Sequence, residues 1–266
     1  MVLAGAVALI ATTGAVGQET DVDVIRRTEE VAGKGSWGLA GSFSSAGESW
    51  SGIDLWGDPY TAVQTVDHRR LTLSGSMCLV DWIRLGAALT MDEVRTATLL
   101  ESNALISDRL CSEEATSFSI HTEFIGDSGS RFDPRARLSL GSVRTEQEAD
   151  RIGMWFGVAG SASYILDPVV LAATLDWSLA SEEPHQWLSI SISVGLVANS
   201  RITLSMETST SHAVSAIAVP SSTVALRSSI ALTADRSVRA ELSFAVQPGS
   251  DTDAVSIGIG IRGTTP

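Results

Sequence analysis

The chain is poor in lysine, cysteine, tyrosine and long apolar runs, and each shortage excludes something. Lys34 is the only lysine, and 18 Lys plus Arg stand against 31 Asp plus Glu, a formal net charge of −13. That balance argues against a nucleic-acid binder, which needs a positive face to meet phosphates. Two cysteines are too few for a disulfide scaffold or a cysteine-built zinc site. No run of about 18 apolar residues follows the N-terminus, so no transmembrane helix is expected there. Only 18 % of residues are charged while 44 % are hydrophobic, the reverse of a disordered chain. The 266 residues could form one large domain or two small ones, and a single all-β barrel of this size is common.

What is present begins with an apolar stretch, Val2 to Ile10, followed by small residues. Ala15-Val16-Gly17 places small residues where a signal peptidase reads, so residues 1–17 are expected to be an export signal cleaved before Gln18. Residues 18–35 form a charged lead segment, and 36–266 the main domain.

The main domain alternates. In Leu188-Ser189-Ile190-Ser191-Ile192-Ser193-Val194 every second residue is apolar. Val238-Arg239-Ala240-Glu241-Leu242-Ser243-Phe244 and Val255-Ser256-Ile257-Gly258-Ile259-Gly260-Ile261-Arg262 repeat the pattern. Period two gives strands with one greasy and one polar face. Past residue 35 only Thr90 to Asp108 is ambiguous between helix and strand.

About twelve strands are expected, near 36–46, 66–79, 82–91, 115–125, 133–143, 152–165, 169–180, 187–197, 201–210, 222–232, 237–247 and 253–263. Short turns at Asp81-Trp82, Asp167-Pro168, Ala198-Asn199-Ser200 and Thr233 to Arg236 alternate with mostly longer connections, among them Gly47 to Thr65 and Asp92 to Glu114. An even number of roughly ten-residue strands, with short turns at one end and longer loops at the other, is the pattern of an up-and-down transmembrane β-barrel. Both chain ends then lie with the short turns, on the periplasmic side.

If the apolar face meets lipid, the opposite parity lines a lumen. That set contains Arg70, Arg84, Arg135, Arg137, Arg201, Arg227, Arg239 and Arg262, with Glu123, Asp176, Glu207, Glu241 and His121. Eight arginines against four acids point to a hydrated interior that slightly favours anions. A barrel plugged by its own paired charges stands beside that reading, because twelve strands fall between filled eight-stranded and open sixteen-stranded barrels. The outer loops carry acids, among them Asp92, Glu93, Glu101, Glu113, Glu114, Glu146, Glu148, Asp150, Glu182, Glu183, Asp251 and Asp253. No loop has calcium-loop spacing, so these read as a solvated face. Trp37, Trp82, Trp177 and Trp187 fall near strand ends or within strands, and Trp155 falls on the lumen parity. Cys78 is expected near a periplasmic turn and Cys111 in an outer loop, too far apart to bridge.

The phrases Cys78-Leu79-Val80-Asp81-Trp82-Ile83-Arg84-Leu85-Gly86, Gly195-Leu196-Val197-Ala198-Asn199-Ser200-Arg201-Ile202 and Ala231-Leu232-Thr233-Ala234-Asp235-Arg236-Ser237-Val238 resemble the turns of outer-membrane barrels. The layout over residues 36–263 is similar to the outer-membrane transporter family named after the meta-pathway of phenol degradation. That resemblance implies a twelve-stranded barrel in outer-membrane lipid that moves small, sometimes aromatic, molecules. Such barrels usually end in phenylalanine; this sequence ends Gly263-Thr264-Thr265-Pro266.

Enzyme motifs are absent: there is no G-x-S-x-G elbow, no H-E-x-x-H and no phosphate loop. Ser211-His212, and His121 with Glu123, are the nearest approaches to a catalytic set. No cofactor, metal or nucleic-acid partner is expected, and the oligomeric state is not encoded legibly. The competing architecture is a soluble secreted or periplasmic β-barrel or sandwich, its apolar face turned inward to bind a hydrophobic ligand or serve a structural role.

Overall fold

Alternating sequence becomes alternating exposure. In the computed structural model, which describes residues 35–53, 59–102, 106–126, 131–145, 152–181, 186–199, 201–214, 221–234, 237–248 and 254–264, the secondary structure is all β. Among those residues run twelve strands: β1 (Gly35–Ile53), β2 (Pro59–Val80), β3 (Ile83–Ser102), β4 (Ile106–Ile125), β5 (Phe132–Thr145), β6 (Ile152–Leu166), β7 (Val169–Ala180), β8 (Gln186–Val197), β9 (Ile202–Ala213), β10 (Ser221–Ala231), β11 (Val238–Gln247) and β12 (Ala254–Thr264). Each is antiparallel to its sequence neighbour, and β1 pairs with β12 from Ser36↔Thr264 to Ala46↔Ala254, closing the barrel. Closure leaves these backbone groups paired around the whole circumference, as a sheet in lipid requires. Residues 1–34 lie outside the described residues, so the expected export signal and nearly all of the lead segment have no structural counterpart here.

The ends of β1 and β12 meet on the side of the short turns, the arrangement expected from loop lengths. Local chemistry fixes those turns. The Asn199 side-chain Oδ1 accepts hydrogen bonds from the backbone N–H groups of Arg201 (2.8 Å) and Ile202 (2.9 Å). Thr233 Oγ1 accepts one from the Val238 N–H at 3.1 Å.

The greasy parity points outward. Leu71, Leu73 and Met77 on β2, Leu242 and Phe244 on β11, and Ile257 and Ile259 on β12 are exposed, Ile259 at 68 %. The buried or half-buried parity carries arginines, carboxylates, serines, threonines and glycines. A water-soluble barrel with an apolar core would show the opposite arrangement. The apolar band on β2 runs from Leu79 to Leu71, a height of roughly 20 Å at the usual rise and tilt of barrel strands.

Strands β1 to β4 depart from the expected lengths. They span 19, 22, 20 and 20 residues, against 10 to 12 for β7 to β12. Most of the connections expected over Gly47–Thr65 and Asp92–Glu114 are strand, and the described residues from Thr90 to Asp108 belong to β3 and β4, not to a helix. These hairpins rise beyond the apolar band. Where Leu71 ends the band on β2, the outward side chains turn polar. Glu93 pairs with Arg95 at 2.6 Å and with Arg69 at 3.7 Å, and Ser45 donates to Asp67 at 2.7 Å. Asp92, Glu93, Glu101, Glu113 and Glu114 therefore belong to strands, as does Cys111. Glu146, Glu148, Asp150, Glu182, Glu183, Asp251 and Asp253 lie outside the described residues. Cys78 and Cys111 are both free thiols.

Candidate functional site: the inner wall

Twelve strands at the usual spacing and tilt enclose a backbone cylinder about 12 Å in radius. What projects into it decides what the barrel can do. Among the described residues of the wall up to the edge of the apolar band, seven arginines (Arg70, Arg84, Arg135, Arg137, Arg227, Arg239, Arg262) meet six carboxylates (Asp92, Glu123, Asp133, Asp176, Glu207, Glu241). The four-charge excess expected from sequence shrinks for two reasons. Arg201 sits in the exposed β8–β9 turn, off the wall. Asp92 and Asp133 turn inward, and both are buried.

Counted along the strands from the short-turn end, the charges fall at three levels. Lowest is a chain of pairs over β3, β4 and β5: Arg84 Nη1 to Glu123 Oε2 at 3.0 Å, Arg135 Nη1 to Glu123 Oε1 at 3.6 Å, and Arg135 Nη2 to Asp133 Oδ2 at 3.0 Å. At the same level Arg262 faces Glu241 at 3.6 Å, and the Arg239 Nε–H donates to Ser229 at 3.0 Å. Midway, Arg137 meets Asp176 at 3.5 Å and Arg227 meets Glu207 at 3.2 Å. Highest, near the edge of the apolar band, Asp92 Oδ1 accepts from Arg70 Nε at 2.6 Å and lies 2.8 Å from His68 Nε2.

Sequence reasoning missed His68, Asp92 and Asp133. Each shares the parity of a residue it named: His68 that of Arg70, Asp133 that of Arg135, and Asp92 that of Arg84 once β3 is extended. His121 also faces inward, its ring lying over Gly86, the residue opposite it on β3. Ser211 and His212 alternate to opposite faces, and His212 is exposed outside. Among the described residues no group of three His, Cys, Asp or Glu side chains is arranged to hold a metal ion.

Pairing keeps the wall charges compensated, and many of the remaining positions are small. Ser36 bonds to Ser76 (2.7 Å), Thr72 to Thr90 (3.3 Å) and Ser211 to Ser221 (3.0 Å). Ala40 is exposed although it sits on the inner parity. The Glu241 side chain is 34 % exposed and those of Arg137 and Asp176 23 % and 21 %. Water reaches these side chains from inside.

The tryptophans divide between the faces. Trp37 and Trp82 are exposed outside, and Trp177 packs edge-on to Phe156 with centroids 6.4 Å apart on the outer face. Trp155 and Trp187 share the inner parity.

No family model and no curated protein matches the sequence. Solved structures do match in fold. An outer-membrane channel from Pseudomonas putida F1 aligns at a TM-score of 0.59 and 9 % identity, over 88 % of this chain and 96 % of that one. The translocator domain of the autotransporter NalP from Neisseria meningitidis aligns at 0.57 and 10 % identity, over 96 % and 97 %. The transport unit of the autotransporter AIDA-I from Escherichia coli aligns at 0.53 and 10 % identity, over 86 % and 89 %. At these identities the likeness is one of architecture: the chain has the closed antiparallel fold of outer-membrane β-barrels.

Proposed function

We propose that the protein is an outer-membrane β-barrel channel that passes small polar or amphipathic solutes through its charge-lined lumen. One observation carries this reading: the closed barrel turns its apolar side chains outward and its paired charges, serines and glycines inward. That distribution suits lipid outside and water inside. The similarity of the layout over residues 36–263 to the phenol-degradation transporter family supports the same reading. The residues assigned to the lumen are Arg70, Arg84, Glu123, Arg135, Arg137, Asp176, Glu207, Arg227, Arg239, Glu241 and Arg262, with Asp92 and Asp133 added and Arg201 left at the mouth.

Planar-bilayer recording tests it. Stable conductance steps are expected, with weak ion selectivity, because seven arginines against six carboxylates leave almost no net wall charge. Replacing Arg84, Arg137 and Arg239 together with Glu should move the reversal potential toward cation preference. An unchanged reversal potential removes those residues from the conduction path, and a folded barrel without conductance refutes the channel.

A further inference from the structure

One patch of the inner wall adds an aromatic ring and hydroxyls to a rung of the ladder of ion pairs. The strand register sets it out in three rows across β5, β6 and β7. Gly141, Trp155 and Ala180 lie side by side; Ser139, Gly157 and Ser178 form the next row; Arg137, Ala159 and Asp176 form the third. All nine share the inner parity. Trp187, the β8 partner of Ser178, extends the middle row by one strand.

The glycines leave the space that the indole fills. A Cβ on Gly141 would meet Nε1, Cε2 and Cζ2 of Trp155, the last at 2.8 Å. A Cβ on Gly157 would come within 3.3 Å of Cζ3. The ring therefore lies across the wall and is half-buried. Two same-face steps away, about 13 Å along the strand, Arg137 reaches over Ala159 to Asp176. Between them the floor is glycine, with a serine on either side.

We infer that this patch is a stacking subsite for a neutral sugar ring; the inference rests on the channel reading and specifies a solute class. A pyranose presents an apolar C–H face and a rim of hydroxyls. The face suits an aromatic platform. The rim suits the Ser139 and Ser178 hydroxyls, which donate and accept; the Arg137–Asp176 pair, about 13 Å from the row of the indole, offers donors and acceptors to the next ring of an oligosaccharide. Neutrality follows because Asp176 already compensates Arg137. A flat hydrocarbon would stack on Trp155 but strip water from those polar groups with nothing in return.

The test titrates single channels in planar bilayers with maltotriose, with phenol as the aromatic comparator. Maltotriose is expected to interrupt the current. Trp155→Ala should weaken that block roughly five- to ten-fold, the scale of one aromatic contact. Trp155→Phe should restore most of it, and Asp176→Asn should weaken it. Trp82→Phe, in an exposed turn outside the barrel, should change nothing. The subsite is overturned if maltotriose leaves the current untouched, if Trp155→Ala blocks like the wild type, or if phenol alone acts through Trp155. If the folded barrel does not conduct at all, the channel reading fails separately, and tryptophan fluorescence in detergent decides the subsite. A saturable maltotriose response lost in Trp155→Ala sustains it, and no response overturns it.

Discussion

Glu123 is the hinge of the lowest charge cluster, bonded to Arg84 on one side and facing Arg135 on the other. Replacing it with Gln removes the charge that compensates two buried guanidinium groups. We expect Glu123→Gln to lower stability by roughly 1–3 kcal/mol, measured by urea unfolding of the detergent-folded barrel. An equal loss for Arg201→Gln, which sits exposed in a turn, would contradict the pairing scheme. At this scale the sequence announced which face each charged residue takes, because period two assigns faces without knowledge of partners. It did not announce the partners. Asp133 opens the strand expected over 133–143 on the face of Arg135, but alternation does not show that its carboxylate bonds to that guanidinium. Nor did it announce that Trp155 faces Gly141 across strands, since a ring-over-glycine contact depends on register rather than on local pattern.

Among the elements, the apolar band and the hairpins above it differ in what they tolerate. Leu73 on β2 points outward in mid-band and is 54 % exposed. Thr65, on the same strand and the same face, lies above the Arg69–Glu93 pair. Leu73→Arg should cost about 2–4 kcal/mol in folding into phosphatidylcholine vesicles, whereas Thr65→Arg should stay within about 0.5 kcal/mol. Equal effects would mean that no lipid boundary lies between them. The short turns were legible because Asn199, Thr233 and the Asp167-Pro168 pair carry turn chemistry that acts locally. The upper halves of β1 to β4 were not. There apolar side chains such as Val63, Leu99 and Leu110 are scattered among charged and polar ones, so alternation fades, and runs such as Ser112-Glu113-Glu114 look like loop until the cross-strand partners are known.

For the molecule as a whole, a net charge of −13 coexists with a nearly neutral inner wall. Many of the surplus acids fall between strands in the sequence, among them Glu146, Glu148, Asp150, Glu182, Glu183, Asp251 and Asp253. The up-and-down order was legible from the alternation of loop lengths, which forces sequence neighbours to pair. Closure between β1 and β12 was not locally encoded; it follows from the outward apolar face, which leaves an open edge no place in lipid. The claim that most needs testing is that this apolar face meets a bilayer. Cells expressing the full chain would be fractionated, and the envelope run on gels with and without boiling. A band in the outer-membrane fraction whose mobility shifts on boiling is the expected result. A soluble periplasmic or secreted product with no heat-dependent shift would contradict it and turn the apolar face into the lining of a water-soluble protein.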